Sequence, residues 1–394
     1  MAGFAIPVST TLSGILGAFL VLFWIAGGDY RVKDQIIRRN PVAFASLILF
    51  GLYVLGLFYG KPSERVAFDV FHFLLLVLAI PLFGNTHVRH SALWGFLSAM
   101  LFMLTLSYLS WFSLLPPIEY LHVAPGNPLV IQNRIAYGFF MTIAAFLFTV
   151  HAYVVPVGLR KWILAMLAVL AIINLFMVNN KTAYILMLAL GGYFLISQWR
   201  WRGAGVFCLA VALLAVVTYV HPTSALHQRV VVAVQQFKQW QPEKADLSSV
   251  GQRLEFYRYS LKIVRNHPFF GVGVGGFAEA YAKQVKNPDM ELTDNPHDEY
   301  LLIAVQMGLI GLAALLYLFY TLWRLAPLLP TQTEVIMARG VVLAFAVGCL
   351  FNSFLTDYDE GVFFIWIIAL LFSRLYPDIV KITPPVTFYA KKMI

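Results

Sequence analysis

Residues 251–312 read GQRLEFYRYSLKIVRNHPFFGVGVGGFAEAYAKQVKNPDMELTDNPHDEYLLIAVQMGLIGL, and the chain is organised around them. The stretch begins in the last part of the only long polar segment of an otherwise apolar protein. It ends in an apolar run long enough to enter a membrane. Between the two lie Arg253, a glycine-rich turn (Gly271, Gly273, Gly275, Gly276) and His297, which is set at the boundary between polar and apolar sequence.

Working outward, the 394 residues are 60% hydrophobic and 12% charged. A soluble surface needs roughly a quarter charged residues, so a soluble globular protein is excluded. The apolar runs are continuous rather than alternating, which argues against a β-barrel. The fold class is therefore an all-α polytopic membrane protein, read as one integral domain over 1–394. By the length of a hydrocarbon core, about eleven runs qualify as spans. They lie near 8–27, 41–60, 67–86, 91–114, 135–156, 162–178, 183–198, 204–220, 298–323, 338–356 and 362–376.

Basic residues alternate with these runs. Arg31, Lys33, Arg38, Arg39, Arg89, Arg160, Lys161, Arg200, Arg202, Arg324, Arg374, Lys381, Lys391 and Lys392 fall on one side. The opposite loops carry only Lys61, Arg65, Arg134 and Lys181, with the acidic run Asp357, Asp359, Glu360. The positive-inside rule makes the first side cytoplasmic and accounts for the net charge of +9 without nucleic acid. The segment 221–297 then faces outward. At about 75 residues it is too long for a bare connector, so helices are expected in it. Leu226, Val230, Val234 and Phe237 recur at helical spacing, as do Leu254, Tyr257, Leu261 and Val264. The segment reads as a helical lid hinged at Pro242–Ser249. Cys208 and Cys349 sit in apolar runs and read as core residues, not as a disulfide or a metal pair. An odd number of spans with a cytoplasmic C-terminus puts Met1 outside, and either a merged or missed span or a start downstream of a first helix would account for that.

Several residues could carry chemistry. In Asp294-Asn295-Pro296-His297-Asp298, Asn295 suits an N-cap, Pro296 the first helical position and Asp298 the acid of a capping box. That places His297 in the first turn of a span, where helix N-terminal potential favours the neutral imidazole. An interfacial histidine without a role is the competing reading. Arg253, Arg258, Lys262 and Arg265 share a helix; one turned inward would clamp a phosphate, and the rest would face solvent or lipid headgroups. Arg134 (with Tyr137 beside it) and Lys181 lie at span ends, where they either snorkel to water or join Arg253 around a diphosphate. The run GVGVGG does not follow a strand and faces outward, so it reads as a turn before a helix or a close backbone approach to a ligand rather than a nucleotide loop. Asp357-Tyr358-Asp359 has the form of a metal-binding acid pair or simply of an acidic loop. No His-Glu-X-X-His, paired-cysteine or Gly-X-Ser-X-Gly motif occurs.

The combination of Arg253, Asn266-His267-Pro268 running into Gly271–Gly275, and His297 followed by Leu301, Gly308 and Gly311 resembles the O-antigen ligase and polymerase family. Pro7-Val8-Ser9-Thr10 before an apolar run is similar to ligases of that family. The resemblance implies about twelve spans, in a GT-C-type inverting glycosyltransferase of the bacterial inner membrane with its active site at the periplasmic face. It implies O-antigen transfer from undecaprenyl pyrophosphate to lipid A–core. Cationic side chains can replace a metal in stabilising a leaving pyrophosphate, so no metal or other cofactor is expected. His297 falls on the family's essential histidine and Arg253 on its loop arginine. Lys181 falls near a position where the family often has arginine, which keeps the charge and loses the bidentate fork. Arg134, Lys181, Arg258, Arg265 and Tyr137 are the expected substrate-binding residues. An O-antigen polymerase with the same donor is the alternative within the family. An anion or lipid-linked-sugar transporter is the alternative outside it.

Overall fold

The structure is a computed structural model, and it describes residues 1–61, 64–221, 223, 225–244, 248–287 and 289–375. The basic tail residues Lys381, Lys391 and Lys392, the middle of the expected hinge (245–247), and the side chains of Arg65 and Leu226 lie outside this description. The described chain is a bundle of fifteen α-helices without a strand. They are α1 (Ala2–Val8), α2 (Thr10–Ala26), α3 (Tyr30–Arg39), α4 (Pro41–Leu57), α5 (Glu64–Ala79), α6 (Thr86–Trp111), α7 (Arg134–Val154), α8 (Leu159–Val178), α9 (Lys181–Val220), α10 (Ala225–Gln239), α11 (Ser249–Asn266), α12 (Phe277–Ala282), α13 (Glu299–Leu325), α14 (Gln332–Gly348) and α15 (Tyr358–Phe372).

The protein is a multi-pass membrane protein. Helices α6, α7, α8, α9 and α13 are long and apolar enough to cross a membrane on their own, and the bent pair α2–α3, angled at 113°, raises the count to six. The other apolar runs fall on shorter helices. Helix α7 is the central one, with 83% of its most apolar window buried. Its Phe139 meets Phe354 at 4.6 Å and Phe345 at 5.0 Å between ring centroids, which ties α7 to α14 and its following loop. At the other end of α14, Arg89 donates to Glu334 at 2.6 Å and to the Leu370 carbonyl at 2.8 Å. Arg89, expected in a basic loop, is thus a buried bolt in the first turn of α6 that joins it to α14 and α15.

Helix α9 is two spans in one. Its 40 residues would extend about 60 Å, twice the hydrocarbon thickness. Arg200 takes left-handed backbone angles (φ 50°), and the chain doubles back there. A Cβ on Gly203 would strike the backbone of Leu195 and Ile196, and one on Gly192 would lie 3.0 Å from the ring of Phe207. In a continuous helix Gly203 and Leu195 would be about 12 Å apart. The expected pair of spans, 183–198 and 204–220, is therefore a tight hairpin with Trp199 and Trp201 exposed at its tip. Cys208, on its second arm, is exposed rather than in the core; Cys349 is buried, and both are free thiols.

Two expectations need correction. The buried face of α11 is Phe256, Tyr259 and Ile263, which pack with Phe277, Tyr281 and Val305. The face drawn through Leu254, Tyr257, Leu261 and Val264 is half-buried at best, and Leu261 is exposed. The tenth span also ends at Gly348, not near 356. The apolar residues Phe354 and Leu355 disguise a compact loop as membrane helix, because that loop is itself buried.

The glycine run explains how α11 meets the bundle. Gly308 sits within α13 at φ 67° and ψ −166°, which interrupts the helix. The interruption frees the carbonyls of Val305 and Gln306, and these accept from the N–H groups of Val272 and Gly273 at 2.9 Å each. In return Leu309 N–H donates to the Pro268 carbonyl at 2.7 Å, and Gly275 N–H donates to the Gln306 side chain at 3.1 Å. On the other side, Val274 N–H reaches the Gly56 carbonyl at 3.0 Å. The close approach to a ligand expected of the glycines is made here to the protein's own backbone.

This arrangement predicts that Gly308→Ala is severely damaging. Its Cβ would collide with the Phe269 carbonyl at a backbone conformation closed to alanine, for a loss of at least about 2–3 kcal/mol. Gly191→Ala, a helical position with open space around it, is expected to be neutral or stabilising by up to about 1 kcal/mol. Thermal unfolding of the two purified variants against the parent checks the contrast.

Candidate functional site

His297 does not lie in the first turn of α13. The helix starts at Glu299 and its N-cap is Asp298, whose Oδ1 accepts from Leu301 N–H at 2.9 Å. Asn295, expected as the cap, spends its side-chain oxygen elsewhere: it accepts from His297 N–H at 2.8 Å and from Ser353 Oγ at 2.7 Å. Those bonds turn the chain before the helix and hold His297 at φ 54°. A non-glycine residue in that region costs roughly 1–2 kcal/mol and persists only where its surroundings over-determine it.

The surroundings here are the 349–356 loop. The buried Glu299 carboxylate accepts from Leu355 N–H at 2.9 Å and Thr356 N–H at 3.3 Å, while Glu299 N–H donates to the Cys349 carbonyl at 2.9 Å. Tyr257 on α11 donates to the Leu350 carbonyl at 3.4 Å. Asn352 Nδ2 donates to Thr182 Oγ1 at 3.3 Å, which registers the start of α9 on the same loop. One residue before Lys181, Asn180 Nδ2 donates to the Arg134 carbonyl at 2.5 Å. A single short loop thereby brings the ends of α7, α9, α11 and α13 to one end of the bundle.

Side chains from those ends converge. Arg253, half-buried on α11, lies within electrostatic reach of His297 and of Lys181. Arg229 on α10 also lies within reach of Lys181, and of Tyr184 one turn further along α9. Among the described residues, Arg253, Lys181 and Arg229 make no ion pair. The ring of Phe256 covers His297 at 6.1 Å between centroids. Burial first, and then the charge of Arg253, push the imidazole below its ordinary 6.5, against the opposing pull of Asp294 and Glu291. The histidine is therefore neutral at neutral pH and free to accept a proton. Burial also pushes the Asp298 carboxyl up to about 6, against the backbone N–H groups it accepts from.

The other expected site residues divide. Arg134 is exposed at the N-terminus of α7, and its backbone is fastened beside Lys181. Arg258 lies about 140° around the helix from Arg253. It is engaged by Glu255 at 3.1 Å and Glu243 at 3.4 Å, so it braces α11 against the preceding turn. Arg265 is exposed, about 120° around from Arg253. Neither is brought to His297 in this arrangement. Tyr137 is a correction: its side chain is fully buried and its hydroxyl donates to Asn174 at 2.7 Å, which makes it a strut between α7 and α8. Asp357 and Asp359 are not joined by a further His, Cys, Asp or Glu into a metal-sized group among the described residues.

Sequence reasoning missed Arg229, Thr182, Asn352 and Ser353. The signal for the last two was present, since an Asn-Ser pair inside an apparent span is an expensive placement that demands partners.

Residues 164–316 match the family model described as O-Antigen ligase. The match covers less than half of the chain and supports a member of the O-antigen ligase/polymerase family. No curated protein matches it. The matched stretch contains Lys181, Arg229, Arg253 and His297, and leaves Arg134 outside. Members of this O-antigen ligase/polymerase family are glycosyltransferase-like enzymes, with lipid-linked glycan and lipid substrates.

The cap separates two roles for Asp298. Asp298→Asn keeps an N-cap acceptor and is expected to leave thermal stability within about 0.5 kcal/mol of the parent; Asp298→Ala loses the cap and about 1 kcal/mol. Unfolding midpoints of the two variants decide whether the carboxyl is needed as a cap or as a charge.

Proposed function

We propose that the protein is an O-antigen ligase: an inverting, GT-C-type transferase that moves a glycan from undecaprenyl pyrophosphate to lipid A–core at the periplasmic face of the inner membrane. The observation that carries this reading is the meeting of a desolvated, neutral histidine with cations that make no ion pair among the described residues, inside the family-matched stretch. The segment 221–297 serves as its lid.

In this mechanism the acceptor hydroxyl oxygen attacks the anomeric carbon from the face opposite the pyrophosphate. The bond from that carbon to the pyrophosphate oxygen breaks with both electrons leaving on oxygen. His297 takes the hydroxyl proton. Arg253, Lys181 and Arg134 stabilise the charge that grows on the departing diphosphate, in a site where low dielectric strengthens each contact. Cations already in place do what a divalent metal does in other transferases, so transfer is expected to survive chelation.

The test is transfer by purified protein given an undecaprenyl-pyrophosphate glycan and lipid A–core. His297→Ala is expected to lose about 100-fold or more in rate while folded, and Arg253→Lys about 10-fold through loss of the guanidinium fork. Because the base must be neutral and its pKa is depressed, kcat/KM should fall only as pH drops below about 6.5, with the acid limb of the profile lying under that value. A limb above it, or activity abolished by chelator and restored by magnesium, refutes this mechanism. Longer lipid-linked chains without product on lipid A–core would instead identify the polymerase reaction of the same family.

A further inference from the structure

We propose that Arg229 on α10 is a lid-borne ligand of the diphosphate, so that the donor itself fastens the lid helix to the bundle; this rests on reading the site as one for a diphosphate lipid. The argument begins with the hairpin in α9. Were α9 straight, its C-terminal end and everything after it would lie about 60 Å from Lys181. Doubling back at Arg200 returns Val220 to the end of the bundle where α9 began. Helix α10 then packs against both α9 and α11, with His227 Nδ1 2.9 Å from the Thr218 carbonyl at its first turn. Arg229, half-buried, follows two residues later and comes within electrostatic reach of Lys181 and Tyr184.

Like charges gathered at one place without carboxylate partners repel, and folding alone gives no reason to assemble them. Arg258 shows the contrast: it belongs to the same lid and has two carboxylates. Arg229 and Arg253 have none among the described residues, and they come from different helices. A doubly charged anion between them turns a repulsion into a bridge. The apolar residues Val230, Val234 and Phe237 of α10 are 51%, 46% and 62% exposed, so they add little to its packing on α9 and α11. An anion would add a polar tether to this helix, and a diphosphate has the charge and the oxygens to serve three cations at once.

Diphosphate lipid and bulk anionic lipid share this chemistry, and the experiment separates them. Full-length protein in nanodiscs of neutral lipid is titrated with undecaprenyl pyrophosphate, with undecaprenyl monophosphate, or with phosphatidylglycerol in place of either. Binding is measured together with hydrogen exchange over residues 225–239. The expected result is tight binding of the diphosphate lipid with protection of α10, and weaker effects from the monophosphate. Arg229→Gln should bind the diphosphate about 10-fold or more weakly and lose the protection, with Arg229→Lys intermediate. Unchanged melting temperature and the parent's binding of an inhibitory glycan-free acceptor analogue establish that the variants are folded. Parent-like binding and protection in Arg229→Gln would overturn the role of Arg229 and leave the diphosphate site standing. Equal protection by phosphatidylglycerol alone would assign Arg229 to bulk lipid and overturn the proposal. Failure of folded parent protein to bind the diphosphate lipid would overturn both this proposal and the site reading beneath it.

Discussion

A backbone that breaks inside a membrane protein has to find new partners for the groups it frees, because the hydrocarbon offers none. The interruption of α13 at Gly308 is where this chain meets that demand. The carbonyls released by the break are the ones that receive the glycine run, and the run in turn fixes where α11 emerges. A side chain on Gly271 would strike the backbone of Val305 and Gln306, and one on Gly273 that of Tyr59 and Gly60, so the docking is backbone against backbone. Arg253 inherits its position from this contact, since α11 cannot rotate or slide without withdrawing Val272 and Gly273 from the break.

The second fixed point is the 349–356 loop, and it works by a different physics. Its buried amides, hydroxyls and backbone N–H groups are satisfied by residues from other helices: Asn295, Glu299, Thr182 and Tyr257. In a low-dielectric interior an unpaired polar group is costly, so each of these pairings is specific about register. The strained backbone at His297 is the price of that registration. Its N–H is held by the same Asn295 oxygen that Ser353 binds, so relaxing His297 would release a buried serine as well.

The sequence made the helices and the two chief site residues legible because apolar runs, a lone polar segment and a histidine at a span boundary are all local signals. Arg253 and His297 were visible for that reason, and the break in α9 was visible as two spans separated by Arg200 and Arg202. What stayed hidden depends on three-dimensional closure. Arg229 looked like one more charge on an amphipathic helix until the α9 hairpin returned α10 to Lys181. Asn295 looked like an N-cap because a capping side chain and one that turns the chain ahead of a helix use the same acceptor in the same sequence context. Tyr137 was drawn into the site by adjacency to Arg134, whereas it lies nearly a turn further into α7, where the helix is surrounded by its neighbours and its side chain is fully buried. The buried faces of α11 were misjudged because aromatic and aliphatic residues occur on both sides of it.

The two fixed points divide the site unequally, and that division bears on how it could work. His297, Arg253, Lys181 and Arg134 are all referred to rigid, buried backbone: the α13 break, the 349–356 loop, and the Asn180 bond to the end of α7. Arg229 alone is carried on a helix whose apolar stripe is uncovered by the described protein. Charge repulsion among fixed cations cannot be relieved by moving them, so it stays stored until an anion arrives. Arg229 would share that anion with the other cations. On the proposed reading, the base and three of the cations are positioned by the protein's own hydrogen bonds, and the fourth, Arg229, is the one whose position a bound donor would reinforce.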